Sequence, residues 1–403
     1  MRHVYRTAFA LIAAASIAAG QDEVRVRKPP TAKAALDTSG LKCGASPAAG
    51  LFRRTLDADL ARSGWFVMAP PGGGAYVVLG NCDESGGNLN CLCQVFNGVT
   101  QQNRLNKSFA ESAAEARKLA HKVADEIVLA LTGFPGIAST RIVMVGKATG
   151  NKELYICDAD GENVKQITHD RSISLGPSWD PRGGQIVYTS YRAGFPDVYL
   201  IDLNGGTRRA VATFPGMNMA GDISPDGRDL ALVLSKDGNP DIYVMGLGGG
   251  RATRLTTTSP AAEVSPSWSP DGNQIVFASD RAGPGHPQLY VMSRSGGEAR
   301  RLTTRGSENA APDWGPGGKI AYCSKRGHYQ ICVLDVQKQE DQEITPGDAD
   351  YEDPSWAPDG RHIACSRKAG GSSTIYLLDT MGDNPIALHR LGGDWFSPAW
   401  SPK

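Results

Sequence analysis

The sequence has no excess of charge of either sign. Lys and Arg number 42, Asp and Glu 42, over 403 residues. A nucleic-acid binder needs a basic stripe to displace condensed counterions, and this balance argues against one. Long apolar runs are equally scarce. The run from Thr7 to Ala19 follows Arg2 and Arg6 and ends in Ala18-Ala19-Gly20. It is too short for a bilayer span of about 20 residues. Its layout is that of a cleavable secretory signal over residues 1–20, which predicts an exported protein with no membrane insertion. Gln21, and not Cys, follows the small residues, so nothing suggests a lipid anchor. Signature motifs of catalysis are missing too. No Gly-x-Ser-x-Gly, no P-loop, no His-Glu-x-x-His and no Gly-x-Gly-x-x-Gly after a strand occurs. The expectation is a chain with no catalytic residue, no metal and no cofactor.

The eight cysteines lack a Cys-x-x-Cys and any His spacing that would close a zinc site. Cys91 and Cys93 alternate on a predicted strand, Leu89 to Val95, as small buried hydrophobes do. Cys43 and Cys82 are left undecided. Cys323 and Cys332 flank a predicted hairpin, where a bridge is conceivable but not favoured.

What the sequence has in plenty is turns. Gly is 48 residues and Pro 25, above an ordinary share of about 12% for the pair. The excess follows a repeat. Pro-Ser-Trp-Asp-Pro-Arg-Gly from Pro177 returns as Gly-Asp-Ile-Ser-Pro-Asp-Gly from Gly221 and Pro-Ser-Trp-Ser-Pro-Asp-Gly from Pro266. Further copies start at Pro312, Pro354 and, clipped, Pro398. The anchors fall at 179, 223, 268, 314, 356 and 400, in steps of 44, 45, 46, 42 and 44. Each unit predicts a strand after the Pro-Asp-Gly turn (Gln185–Ser190, Gln274–Ser279) and a second after a Gly turn (Asp197–Asp202, Gln288–Ser293). A short third strand follows (Arg254–Thr256, Arg301–Thr303), and the Pro-x-Trp strand is the fourth. Four antiparallel strands per 40–45 residues mark a propeller blade, and no unit shows a 3.6-residue period.

The first unit, from Arg141, lacks a Pro-x-Trp strand before it, and the last such strand, at Pro398, has nothing after it. The two ends complete one another. This predicts six blades over 141–403, with the C-terminal strand innermost in the first blade and a reason for the chain to stop at Lys403. Closure removes the free edges of an open array. The aspartates Asp226, Asp271 and Asp359 recur at turns, where they bond local backbone. The anchor Trp residues read as packing between blades.

Residues 40–135 follow a different pattern. A helix is predicted over Gly50–Ser63, strands over Trp65–Met68, Ala75–Gly80 and Leu89–Phe96, then a capping box at Ser112 and Glu115. It opens a helix with Ala116, Leu119, Val123, Ile127 and Ala130 on one face. This is a small α/β domain. Residues 21–39 read as a flexible arm, with Glu23, Val24, Arg25 and Val26 in a strand-like alternation that Pro29-Pro30 breaks. The fold class is therefore an all-β six-bladed propeller preceded by a small α/β domain.

The order of these features is specific. Asp59-Leu60-Ala61-Arg62-Ser63-Gly64-Trp65-Phe66, Tyr76-Val77-Val78-Leu79-Gly80, Leu119-Ala120-His121-Lys122-Val123-Ala124-Asp125-Glu126-Ile127 and Ser139-Thr140-Arg141-Ile142 precede the blades. Together with them, the chain resembles the TolB family of periplasmic propellers of the Tol-Pal system. The resemblance implies a non-enzymatic scaffold that binds a Pal-type peptidoglycan-associated lipoprotein at one mouth of the ring. It also implies that the arm is offered to a TolA-type inner-membrane protein, in support of outer-membrane integrity and invagination during division. The chain departs from the family with Met217 where a His is usual and Ser265 where a Glu is usual. Its arm runs on through Thr31-Ala32-Lys33-Ala34-Ala35-Leu36, less hydrophobic than the family's strand.

The loops before the innermost strands gather at one mouth, because blades repeat radially. They put Met217, Asn218, Ala220, Glu263, Val264, Ser265, Glu308, Asn309, Tyr351, Glu352 and Asp353 there as partner-binding residues, with Trp395 and Phe396 beside them. For Tyr351, Trp395 and Phe396, packing between blades is the competing reading. Two other functions stay open: an exported propeller hydrolase or lyase, and a small-ligand-binding propeller. The inner strands, reading Ser, Trp and Pro, carry no convergent His and carboxylate set that an enzyme would need. A monomer is expected.

Overall fold

The computed structural model describes residues 33–403 except 259 and 389–392. The signal over 1–20 and Glu23, Val24, Arg25 and Val26 lie outside the described residues.

The α/β domain is a five-stranded sheet under two helices. Its strands are β1 (Ala34–Cys43), β2 (Phe66–Met68), β3 (Tyr76–Ser85), β4 (Asn88–Asn97) and β5 (Asn103–Ser112), in the order β2-β1-β3-β4-β5. β1 is parallel to both neighbours, and the other pairs are antiparallel. Helix α1 (Pro47–Arg62) starts where Ser46 Oγ accepts from the Ala49 amide and Pro47 needs no donor. Phe52, Leu56 and Leu60 lie on its buried face. Helix α2 (Ala116–Thr132) buries Leu119, Val123 and Ile127 and ends on Gly133 in the left-handed region. The capping box is only half realised: Ser112 caps a short 3-10 turn through the Ala114 amide, and Glu115 makes no side-chain cap.

One boundary is corrected. Residues 34–39 belong to β1 and not to a flexible arm. The sequence hides this because a bulge between Asp37 and Gly40 breaks the alternation.

The ring has six four-stranded sheets. Their innermost strands are Ser174–Trp179, Asn218–Ile223, Glu263–Trp268, Asn309–Trp314, Asp350–Trp356 and Trp395–Trp400. The last pairs with β6 (Arg141–Gly146), Trp395 opposite Gly146 and Trp400 opposite Ile142, so both ends of the ring share one blade. Trp400 Nε1 donates to Thr140 Oγ1 at 2.7 Å, and Ser401 Oγ accepts from the Arg141 amide at 2.9 Å. The anchor Trp side chains are buried between blades; Trp179 Nε1 donates to Ala399 O and Trp268 Nε1 to Asp222 O. The turn aspartates bond local backbone as the repeat implies: Asp226, Asp271 and Asp359 accept from the Arg228, Asn273 and Arg361 amides at 3.1, 3.0 and 2.9 Å.

The α/β domain docks on the Pro-Asp-Gly end of the last and first blades. Arg361 is buried there. It donates to Gly64 O, pairs with Asp379 at 2.6 Å and lies over the Trp65 ring at 4.6 Å. Arg117 of α2 pairs with Asp160 of the first blade. His121 Nδ1 meets Asp59 at 2.6 Å, with Asp158 3.9 Å from Nε2.

Candidate functional site: the open mouth of the ring

Every innermost strand carries a bulge just before its Pro or its equivalent, with two residues facing one on the next strand. In five blades the first bulge residue has a left-handed φ: Gly176, Ser265, Ala311, Asp353 and Ser397. The bulge re-aims the strand, and four rings of side chains result when residues are counted back from each Trp or Ile223.

Five back from the anchor lie Ser174, Asn218, Glu263, Asn309, Tyr351 and Trp395, all buried. Asn218, Glu263, Asn309, Tyr351 and Trp395 were expected to face a partner, and the structure corrects this. As strand-opening residues they turn into the blade. Asn218 ties its loop by accepting from the Phe214 amide and donating to Phe214 O at 2.9 and 2.8 Å. Asn309 donates to Gln288 Oε1 and Arg305 O. Glu263 pairs with Arg281. Trp395 packs edge-on against Tyr155, and Tyr351 against Tyr376.

Four back lie Leu175, Met219, Val264, Ala310, Glu352 and Phe396, all half-buried. This ring is apolar apart from Glu352. Burial, then the charges of Asp353 and Asp350, raise the Glu352 carboxyl above the usual range. Phe396 lies under Lys147 and Lys152 at 5.3 and 5.2 Å. Three back are Gly176, Ala220, Ser265, Ala311, Asp353 and Ser397. Burial raises Asp353 as well, although Ser397 Oγ donates to it at 2.7 Å. On the outer lip, Met217 and Glu308 are half-buried. Glu308 takes hydrogen bonds from Lys325 at 2.8 Å and Tyr329 Oη at 2.6 Å, which hold its carboxyl low. Met217, Ala220, Val264, Ser265, Glu308, Glu352, Asp353 and Phe396 thus meet around the mouth.

Deeper in the channel, sequence reading missed two carboxylates. The residue before each anchor runs Ser178, Asp222, Ser267, Asp313, Ser355, alternating hydroxyl and carboxylate, and ends on Ala399, which breaks the alternation. They line a cavity of about 490 Å³ with the Pro and Trp side chains. Asp222 accepts from the Trp268 amide at 2.9 Å and Asp313 from the Trp356 amide at 2.6 Å; Ser267 and Ser355 do the same for Trp314 and Trp400. Each is a staple to the next blade. Burial, helped by the charge of Asp222, pushes Asp313 up to about 7. The repeat alignment was the signal that could have found them. None of the residues lining the cavity is His.

These features define a class, the closed six-bladed propeller with an α/β domain on one end and a lined, open mouth at the other. The PD40 family model, TolB beta propeller domain, matches residues 128–403, and the chain belongs to that family. It is 31% identical over 203 residues to the Protein TolB homolog of Chlorobium chlorochromatii, covering 44% of this chain and 46% of that one. It is 37% identical over 176 residues to the Tol-Pal system protein TolB of Bordetella pertussis, covering 44% and 40%. The matched stretch is therefore under half of these curated relatives. The crystal structure of TolB from Acinetobacter baumannii superposes with a TM-score of 0.83 at 30% identity, over 94% of this chain and 98% of that one.

Proposed function

We propose that this chain is a non-enzymatic periplasmic adaptor of a Tol-Pal system. Its open mouth binds the folded domain of a Pal-type peptidoglycan-associated lipoprotein. The segment before β1, including Glu23, Val24, Arg25 and Val26, is taken up by a TolA-type inner-membrane protein. The pairing supports outer-membrane integrity and invagination during division. The observation that carries this reading is the ring Leu175, Met219, Val264, Ala310, Glu352 and Phe396. Half-exposed apolar groups beside the carboxylates of Glu308, Glu352 and Asp353 suit a protein partner, whose contact buries the apolar atoms while the charges set orientation and on-rate. Among the described residues no helix is long and apolar enough to cross a membrane.

Calorimetry with the cognate lipoprotein domain tests it. Met217→Glu with Val264→Glu is expected to abolish binding and leave the melting temperature nearly unchanged. Full-strength binding by the double variant places the interface elsewhere.

A further inference from the structure

β1, β3 and β4 carry a row of three thiols. Cys82 is the register partner of Cys43 on β1 and of Cys91 on β4, so all three side chains leave the sheet on one face. All are free; Cys82 and Cys91 are buried, and Cys43, the last residue of its strand, is half-buried. The Cys82 thiol interacts with both of its neighbours, Cys43 and Cys91. The contrast is Cys323 and Cys332. Their partners are Ile331 and Tyr322, so they project to opposite faces and do not meet.

We propose that Cys43 and Cys82 form a disulfide in the exported protein, and that Cys91 remains a thiol. Directly paired neighbours in a sheet fall within the Cα separation of about 4.4–6.8 Å that a bridge requires. Cys43 is favoured over Cys91 as the partner. It sits at a strand end, where the backbone has room to adjust, and it is the thiol of the row that solvent reaches. The bridge closes a loop that contains α1 and β2. It thereby ties to the sheet the segment bearing Asp59 and Gly64, both of which contact the α2 and propeller side of the junction. This rests on the periplasmic reading above, since such bonds persist in oxidising compartments.

The chemistry balances with a small-molecule disulfide such as oxidised glutathione. One protein thiolate attacks it and releases a glutathione thiolate; the second attacks the mixed disulfide and releases the other. Two S–H bonds break, one S–S bond forms in the protein, and two electrons and two protons end on glutathione. The packed domain slows this. The hydrogen bond to Cys82 and burial raise the Cys43 thiol. The Cys43 bond lowers Cys82, but its bond to Cys91 and burial prevail and push it up to about 12. Little thiolate exists near neutrality, so the bridge forms while the domain folds.

The test refolds the reduced chain with reduced and oxidised glutathione, blocks remaining thiols, and maps peptides after cleavage before Asp83, which separates Cys82 from Cys91. A Cys43–Cys82 peptide pair is expected, unchanged in Cys91→Ser and absent in Cys43→Ser. Three free thiols, or a Cys82–Cys91 bridge in the unaltered chain, overturn the proposal. A second arm maps the chain harvested from cells with thiols blocked at lysis. A bridge after refolding beside a reduced harvested chain overturns the periplasmic reading and not the pairing.

Discussion

The two ends of the propeller are built from the same repeat and finished differently. At the Pro-Asp-Gly end, the buried charged groups of the last and first blades and of the α/β domain find partners inside the chain. Arg361 has Asp379 and Gly64, Arg117 has Asp160, and His121 has Asp59. At the mouth, the framework residues Asn218, Asn309 and Glu263 each have a partner inside the chain, but the ring between them is left half-exposed. One end is closed by its own domain. The other presents a mainly apolar ring that no element among the described residues covers.

The largest expected break in this comparison comes from the strand both ends depend on. Deleting residues 396–403 opens the first blade and empties the Trp400 site. Loss of a buried Trp alone costs about 3–5 kcal/mol, so the truncated chain should melt far lower or aggregate in a calorimetric scan. An unchanged transition would break the account of ring closure. Next is Arg361→Met at the closed end. It leaves buried Asp379 with the Met381 amide and the more distant His362 as partners and removes the Gly64 contact, a change of the type that costs up to about 3–5 kcal/mol. Chemical denaturation should show it, with protease sites in the α/β domain exposed first.

His121 sharpens the comparison through pH. Burial opposes its charge, but the Asp59 hydrogen bond and the nearby Asp160 and Asp158 charges prevail, and its folded pKa lies above 6.5. The stability it contributes is complete below about pH 6.5 and is lost as pH rises through the folded value. His121→Gln should therefore flatten the melting-temperature profile on the alkaline side of pH 6.5. In the channel the sign reverses. Asp313 is raised to about 7, so its ionisation penalises the folded state increasingly from about pH 4 to 7. Asp313→Asn keeps an acceptor for the Trp356 amide and should raise the melting temperature at pH 8, by about 2–4 °C per kcal/mol recovered, with little change at pH 4. The smallest effect belongs to the mouth. The Lys325–Glu308 pair is partly exposed, and Lys325→Ala should cost under about 1 kcal/mol.

The blades were legible because Pro, Gly and Trp recur at fixed intervals and each has one structural use there. The strand Ala34–Cys43 was not, because Asp37, Gly40 and the bulge between them interrupt its alternation. Nor was β5, a polar edge strand with exposed Asn103, Arg104 and Lys107, the composition that keeps an edge from pairing with another chain. At the mouth, the facing of single residues was not legible. A bulge shifts the side-chain phase by one, so Tyr351 is buried while its neighbour Glu352 looks into the mouth. The channel carboxylates escaped notice for another reason. Asp222 and Asp313 replace Ser within the repeat, and only alignment of the blades shows the alternation.

The shared blade also sets an order of events. Thr140 and Trp400 are joined across 260 positions. Until residues 395–400 arrive, the first blade is three strands with an open inner edge, whatever the state of the other five. The ring therefore closes late. Contacts of such long sequence separation slow folding, so the inner edge of the first blade is the last to be covered.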